Sequence, residues 1–263
     1  MGVMEAIKRG FGIASKSLGL VLVLFIFNLL GNLASIPFAG VQPGTTPSPQ
    51  LTAAALIFSI VFILISIFVQ GGSLGLVRDI IKQGKMALGS FASYGLKYYF
   101  RLFGLGLLII LIVGIVALIA GLVIAATAPL NNQVVTTLAV IVSVLIALVV
   151  GVLYFIPFTL SPYALVCDET GIIESLKKSL VVAKKPISRV FKLMLLFVLL
   201  ILIALGVGFV VGFIAGLITA LTPIAVGRVI MAIATSIVNG YLGIVMTASF
   251  MSFYLGYTGK EKI

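Results

Sequence analysis

Cys167, Asp168 and Glu169 follow one another, and their types are the ones in this chain that could do chemistry: a thiol nucleophile beside two carboxylates. A thiol needs a base to make it reactive, usually an imidazole, and the chain has no His. Two carboxylates adjacent in sequence rarely converge on one substrate as acid and base, so these read as loop and cap residues, and Asp79 likewise. With one Cys and no His, disulfide scaffolds and Cys/His metal sites are excluded. The glycine-rich run Gly71-Gly72-Ser-Leu-Gly75 ends an apolar stretch instead of following a strand, so the phosphate-cradling mechanism does not apply. No catalytic, cofactor or metal site is expected, and the chain reads as a non-enzyme.

A second set of residues stands out because of where it lies. Asn28, Asn32, Ser66, Gln70 and Asn239 sit inside long apolar stretches, where a polar group needs a partner. Ser59, Ser66 and Ser73 recur every seven residues. These groups read as interhelical glue, at about 0.6 kcal/mol each. The alternative is that Asn28, Asn32, Ser66, Gln70 and Asn239 line a neutral intramembrane cavity. Gly208, Gly212 and Gly216 form a small-residue row at every fourth position, the pattern that lets helices approach closely. Pro157 and Pro162 bracket the end of the fourth stretch and read as helix terminators.

The elements that carry these residues follow from composition. The chain is 62% hydrophobic and 9% charged. Six stretches, at about 17–38, 51–76, 102–126, 134–160, 191–221 and 226–256, exceed the roughly 20 apolar residues needed to cross a bilayer core. None carries an acid or base away from its ends. The first is too long for a cleaved signal and reads as retained.

Of the 17 Lys and Arg residues, only Arg228 lies outside four clusters. These are Lys8, Arg9 and Lys16; then Arg78, Lys82, Lys85, Lys97 and Arg101; then Lys177, Lys178, Lys184, Lys185, Arg189 and Lys192; then Lys260 and Lys262. Positive charge marks cytoplasmic loops, so both termini are expected inside a cell membrane. The formal charge of +11 is explained by this orientation and not by nucleic-acid binding. The basic residues Lys8, Arg9, Lys16, Lys97, Arg101, Lys177, Lys178, Lys184, Lys185 and Arg189 are the expected contacts for anionic lipid head groups or a protein partner.

The chain also repeats. Residues 5–17 align without gaps on 174–186, pairing Glu5 with Glu174, Lys8 with Lys177, Arg9 with Lys178, Gly10 with Ser179 and Lys16 with Lys185. A weaker third copy places Gly95 and Arg101 at the Gly10 and Lys16 positions. Leu76-Val-Arg-Asp79 is echoed by Leu165-Val-Cys-Asp168. The expected fold is therefore an all-α integral membrane protein. Six transmembrane helices form three parallel hairpin repeats, at about 1–85, 86–169 and 170–263, within one membrane domain. A short interfacial amphipathic segment precedes each hairpin. In the third, Ile172, Ile173, Leu176, Leu180 and Ala183 share a face, Thr170-Gly171 is the expected cap, and Pro186 ends the segment.

The stretch from Pro162 to Ser179 resembles a signature of the membrane domain attached to some glycerophosphodiester phosphodiesterases and of related six-helix prokaryotic proteins. That resemblance implies the fold, and brings no catalytic residue with it. Three parallel hairpins are also similar to mitochondrial metabolite carriers, whose proline–acid–base motif this chain lacks. The expected role is a non-enzymatic membrane protein whose basic cytoplasmic face meets anionic lipid or a protein partner, with self-association also open. The alternative is a transporter, channel or lipid-translocating protein for a neutral or lipidic substrate.

Overall fold

The computed structural model describes residues 2–40, 48–127, 133–151, 158–184, 188–220 and 224–259. Among them the regular elements are all helical. They are α1 (Val3–Lys16), α2 (Leu18–Ser35), α3 (Pro49–Gln83), α4 (Phe91–Thr127), α5 (Gln133–Val150), α6 (Ser161–Asp168), α7 (Ile172–Lys184), α8 (Ser188–Ala220) and α9 (Ile224–Thr258).

Five segments, Leu18–Phe38, Pro49–Gln83, Leu88–Thr127, Phe191–Ile218 and Val226–Thr258, are long and apolar enough to span a membrane. The fourth expected span is represented by the 18 residues of α5, with 152–157 outside the described residues. The 35 residues of α3 extend about 52 Å, well beyond the roughly 30 Å of a hydrocarbon core.

Local chemistry sets the helix ends. The Ser48 hydroxyl accepts from the Leu51 amide at 3.2 Å, with Pro49 supplying a first-turn residue that has no amide hydrogen to satisfy. At the other end of α3, Gly84 takes the left-handed conformation at φ 69°, which costs a residue without Cβ nothing. Glu5 in the first turn of α1 accepts from the Gly2 amide at 3.2 Å. Pro162 corrects the expectation made for it. It occupies the first turn of α6, where proline is tolerated, and so opens a helix instead of closing one. Thr170 also departs from its expected role: among the described residues its buried hydroxyl has no hydrogen-bond partner, so it does not cap α7. The backbone carbonyl of Gly171 takes the first-turn bond from Ser175, at 2.9 Å.

The described helices fall into two compact units, Met1–Tyr99 with Leu196–Ile263, and Phe100–Leu195. In the first, α9 is the hub. Its Ile244, Val245, Ala248, Met251, Tyr254 and Leu255 are fully buried. α1 lays Ala6, Ile7, Gly10, Ile13 and Ala14 against this unit and leaves Lys8 and Lys16 exposed, as an amphipathic segment must. The α2 and α9 backbones touch at Gly240, where an added Cβ would lie 3.0 Å from the Phe25 nitrogen. In the second unit α6 and α7 pack through Ala164, Leu165, Val166 and Leu176. Ile172 reaches Gly104 of α4 in the same unit.

Candidate functional site

The densest polar geometry lies where α3 meets the start of α4. Gly72 and Gly75 leave room for Phe91 and Tyr94 to lie directly on α3. A Cβ at Gly72 would meet the Phe91 ring at 2.7 Å and its carbonyl at 2.8 Å, and a Cβ at Gly75 would collide with Tyr94. The glycine-rich run is thus a docking groove inside a continuous helix. Tyr94 then donates to Asp79 Oδ2 at 2.5 Å. Arg78 donates to Asp79 Oδ1 through Nε at 3.1 Å and to Tyr98 Oη through Nη1 at 2.7 Å. Its guanidinium lies over the Tyr94 ring, 5.2 Å from the centroid. Asp79 is 9% exposed, so this carboxylate is a buried anchor and not the loop residue expected from its place at the end of a span. The rings of Tyr94 and Tyr98, four apart, share one helix face and stack at 6.2 Å between centroids. Both carboxylate oxygens are engaged by protein donors, so the cluster locks α3 to the start of α4.

A second ion cluster joins α6 to α7. Lys178 Nζ lies 3.4 Å from Asp168 Oδ2 and 3.1 Å from Glu174 Oε1. The hydrogen bond with Glu174, reinforced by Asp168, raises the Lys178 ammonium above the usual lysine range. Arg101 donates to the Glu169 carbonyl at 3.2 Å, and Glu169 takes a left-handed φ of 54° where the chain turns from α6 to α7. Among the described residues no group of three His, Cys, Asp or Glu could hold a metal.

The expected lipid contacts divide accordingly. Lys8, Lys16 and Lys177 are exposed, as are Lys97 and Arg101, while Arg9 is half-buried. Lys97 lies over the Tyr98 ring at 5.4 Å. Lys178 is engaged by two acids. The side chains of Lys184 and Arg189, and the whole of Lys185, lie outside the described residues.

The polar residues of the long apolar helices separate too. Asn28 donates to the Leu24 carbonyl at 2.8 Å, and the Ser59, Ser66 and Ser73 hydroxyls bond to carbonyls of their own helix. Gln70 is exposed. Asn32 crosses from α2 to α9, donating to Ser236 at 2.8 Å and Thr235 at 3.3 Å. Asn239 lines an open cavity of about 360 Å³ between α8 and α9, with Thr235 and Gly208 in the same wall. Of the five residues expected to share a cavity, Asn239 reaches it directly and Asn32 supports its wall. A Cβ at Gly208, Gly212 or Gly216 would meet nothing within 4 Å, so the small-residue row presents open space within the described chain.

Fold and site together define an all-helical protein with several helices fit to cross a membrane, closed by polar locks at helix junctions. The profile of one family, described as "Domain of unknown function (DUF7847)", matches residues 1–256, and the chain belongs to that family. No curated protein and no solved structure matches. The resemblance to the phosphodiesterase-linked membrane domain therefore rests on the motif between Pro162 and Ser179.

Proposed function

We propose that the protein is a non-enzymatic six-span protein of the cell membrane, with both termini cytoplasmic, whose basic inner face binds anionic lipid head groups. The observation that carries this reading is how the acids are used. Glu5 is turned onto the Gly2 amide, Asp79 onto Arg78 and Tyr94, and Asp168 and Glu174 onto Lys178. With only 6 acids against 17 basic residues, this internal use leaves Lys8, Lys16 and Lys177 facing outward as a surplus of cation. Each contributes about 1 kcal/mol near an anionic surface.

The three-fold repeat belongs to the same proposal, and two contacts support it. Tyr94 stands immediately before Gly95, and Lys178 immediately before Ser179, so the two occupy one position of the repeat. Each meets the aspartate that closes the preceding echo motif, Asp79 or Asp168. In the first copy, Gly10 packs on Ser249 and Val245 of α9, as Gly95 packs on Phe68 of α3.

Thermal unfolding of the purified chain in neutral detergent, with added phosphatidylglycerol or phosphatidylcholine, tests the lipid reading. Stabilisation by the anionic lipid alone, weakened by salt, is expected. Equal responses to both lipids would count against it. The alternative of a transporter or lipid-translocating protein for a neutral substrate draws its support from the cavity at Asn239.

A further inference from the structure

We propose that the cavity between α8 and α9 binds a neutral, membrane-soluble molecule that carries a carbonyl or hydroxyl on an apolar body. This rests on a different observation from the basic face and stands or falls separately. The Asn239 amide offers two donors and an acceptor, and it meets no hydrogen-bond partner among the described residues. It is exposed on Val226–Thr258, one of the segments fit to span a membrane, so in a bilayer the amide would face an apolar phase that offers it no partner.

The neighbouring polar groups are already engaged and cannot serve it. Thr235 donates to the Met231 carbonyl at 2.7 Å, and the Asn32 amide is spent on Ser236 and Thr235. Neutrality follows from the lining, which among the described residues contains no ionisable side chain. Space is kept by glycine. A Cβ at Gly208 would touch nothing, and one at Gly243 would meet only Leu24 Cδ1 at 3.7 Å. Ala204, Gly208 and Val211 form one face of α8, so the cavity has a small-residue wall opposite a single amide. About 360 Å³ falls within the range of small-molecule sites, roughly 300–1,000 Å³. A plain hydrocarbon chain would fill the space and leave the amide unsatisfied. A molecule with one hydrogen-bonding group would fill it and satisfy the amide.

The full chain in nanodiscs is irradiated with three diazirine probes of equal chain length: hexadecane, hexadecan-1-ol and hexadecan-2-one. Peptides of α8 and α9 are then mapped by mass spectrometry. The alcohol and ketone are expected to label the cavity about three- to tenfold more than the hydrocarbon, the worth of one hydrogen bond. Asn239→Leu should erase that preference, and Asn239→Gln should retain part of it. Gly208→Leu should reduce labelling by all three probes while melting stays unchanged, because its side chain enters open space. Equal labelling by the three probes, or a preference that survives Asn239→Leu, would overturn the proposal. So would a disulfide between two copies bearing Asn239→Cys with no probe labelling, since a second chain would then fill the space. Should Asn239→Leu fail to fold, the Gly208→Leu variant decides alone, and unchanged labelling there refutes the site.

Discussion

Tyr94 and Asp79 meet through a 2.5 Å phenol–carboxylate hydrogen bond across the junction of α3 and α4. A donor to a buried carboxylate contributes about 1.5–3 kcal/mol, more than a neutral pair. Arg78 shares the same carboxylate, so the two helices are joined by a charge that both have helped to desolvate.

Tyr94→Phe should therefore lower stability by about 1.5–3 kcal/mol, read as a fall in melting temperature in detergent. Asp79→Ala should cost more, about 3–5 kcal/mol, because it strands the Arg78 guanidinium among rings and backbone. A double-mutant cycle should show strong coupling between the two sites. Strictly additive losses would mean that the bond contributes nothing to the junction.

Gly10 is predicted to be intolerant of any side chain. A Cβ there would collide with Ser249 Oγ and lie 2.6 Å from the Val245 carbonyl, whereas at Gly12 it would meet nothing within 4 Å. Gly10→Ala should destabilise by about 1–3 kcal/mol through overpacking, and Gly12→Ala should be neutral or slightly stabilising. Melting curves of the two variants, compared side by side, check the docking of α1 on α9.

The contact of Lys178 with Glu174 and Asp168 makes a pH prediction with a defined sign. Its ammonium is raised in the folded protein, so the stabilisation is fully present below the ordinary lysine value of about 10.4 and disappears as pH climbs through the raised folded value. A spin label on α7 should show constant mobility from neutral pH up to about 10 and loosen only above it. Lys178→Met should show the loosened spectrum already at neutral pH. Loosening of the parent protein near pH 7 would assign the contact to another group.

Charge removal on the outward face offers an independent check. Lys8, Lys16 and Lys177 changed together to Gln should cut the stabilisation by phosphatidylglycerol by about 3 kcal/mol at low salt, at roughly 1 kcal/mol each. Melting without lipid should hardly move, since none of the three is buried. A full lipid response in the triple variant would place the lipid elsewhere.

Much of this architecture could be read from apolar runs alone, because a helix in lipid must satisfy its own backbone and needs a fixed length to cross. The helix Ile172–Lys184 was equally legible from the helical spacing of its apolar residues, with Leu176 buried, although Ile173 is exposed. Asp79 was not. Its partner comes from the next helix, and no periodicity within α3 announces a tyrosine fifteen residues later. Gly72 and Gly75 hid for the same reason: their function is to admit Phe91 and Tyr94, a fact about the partner and not about the run. The five intramembrane polar residues were grouped by type, but hydroxyls and amides can bond to carbonyls one turn back. Asn28 and Ser66 do so and Gln70 is exposed, which leaves Asn32 bonding between helices and Asn239 lining the cavity between α8 and α9.

The central claim, that the basic clusters share one cytoplasmic face, is tested most directly by cysteine accessibility in oriented vesicles. In a Cys167→Ser background, Lys85→Cys and Lys177→Cys should react with an impermeant maleimide only from the cytoplasmic side, while Gln50→Cys should react only from the opposite side. Labelling of positions 85 and 177 from opposite sides of the bilayer would contradict the account.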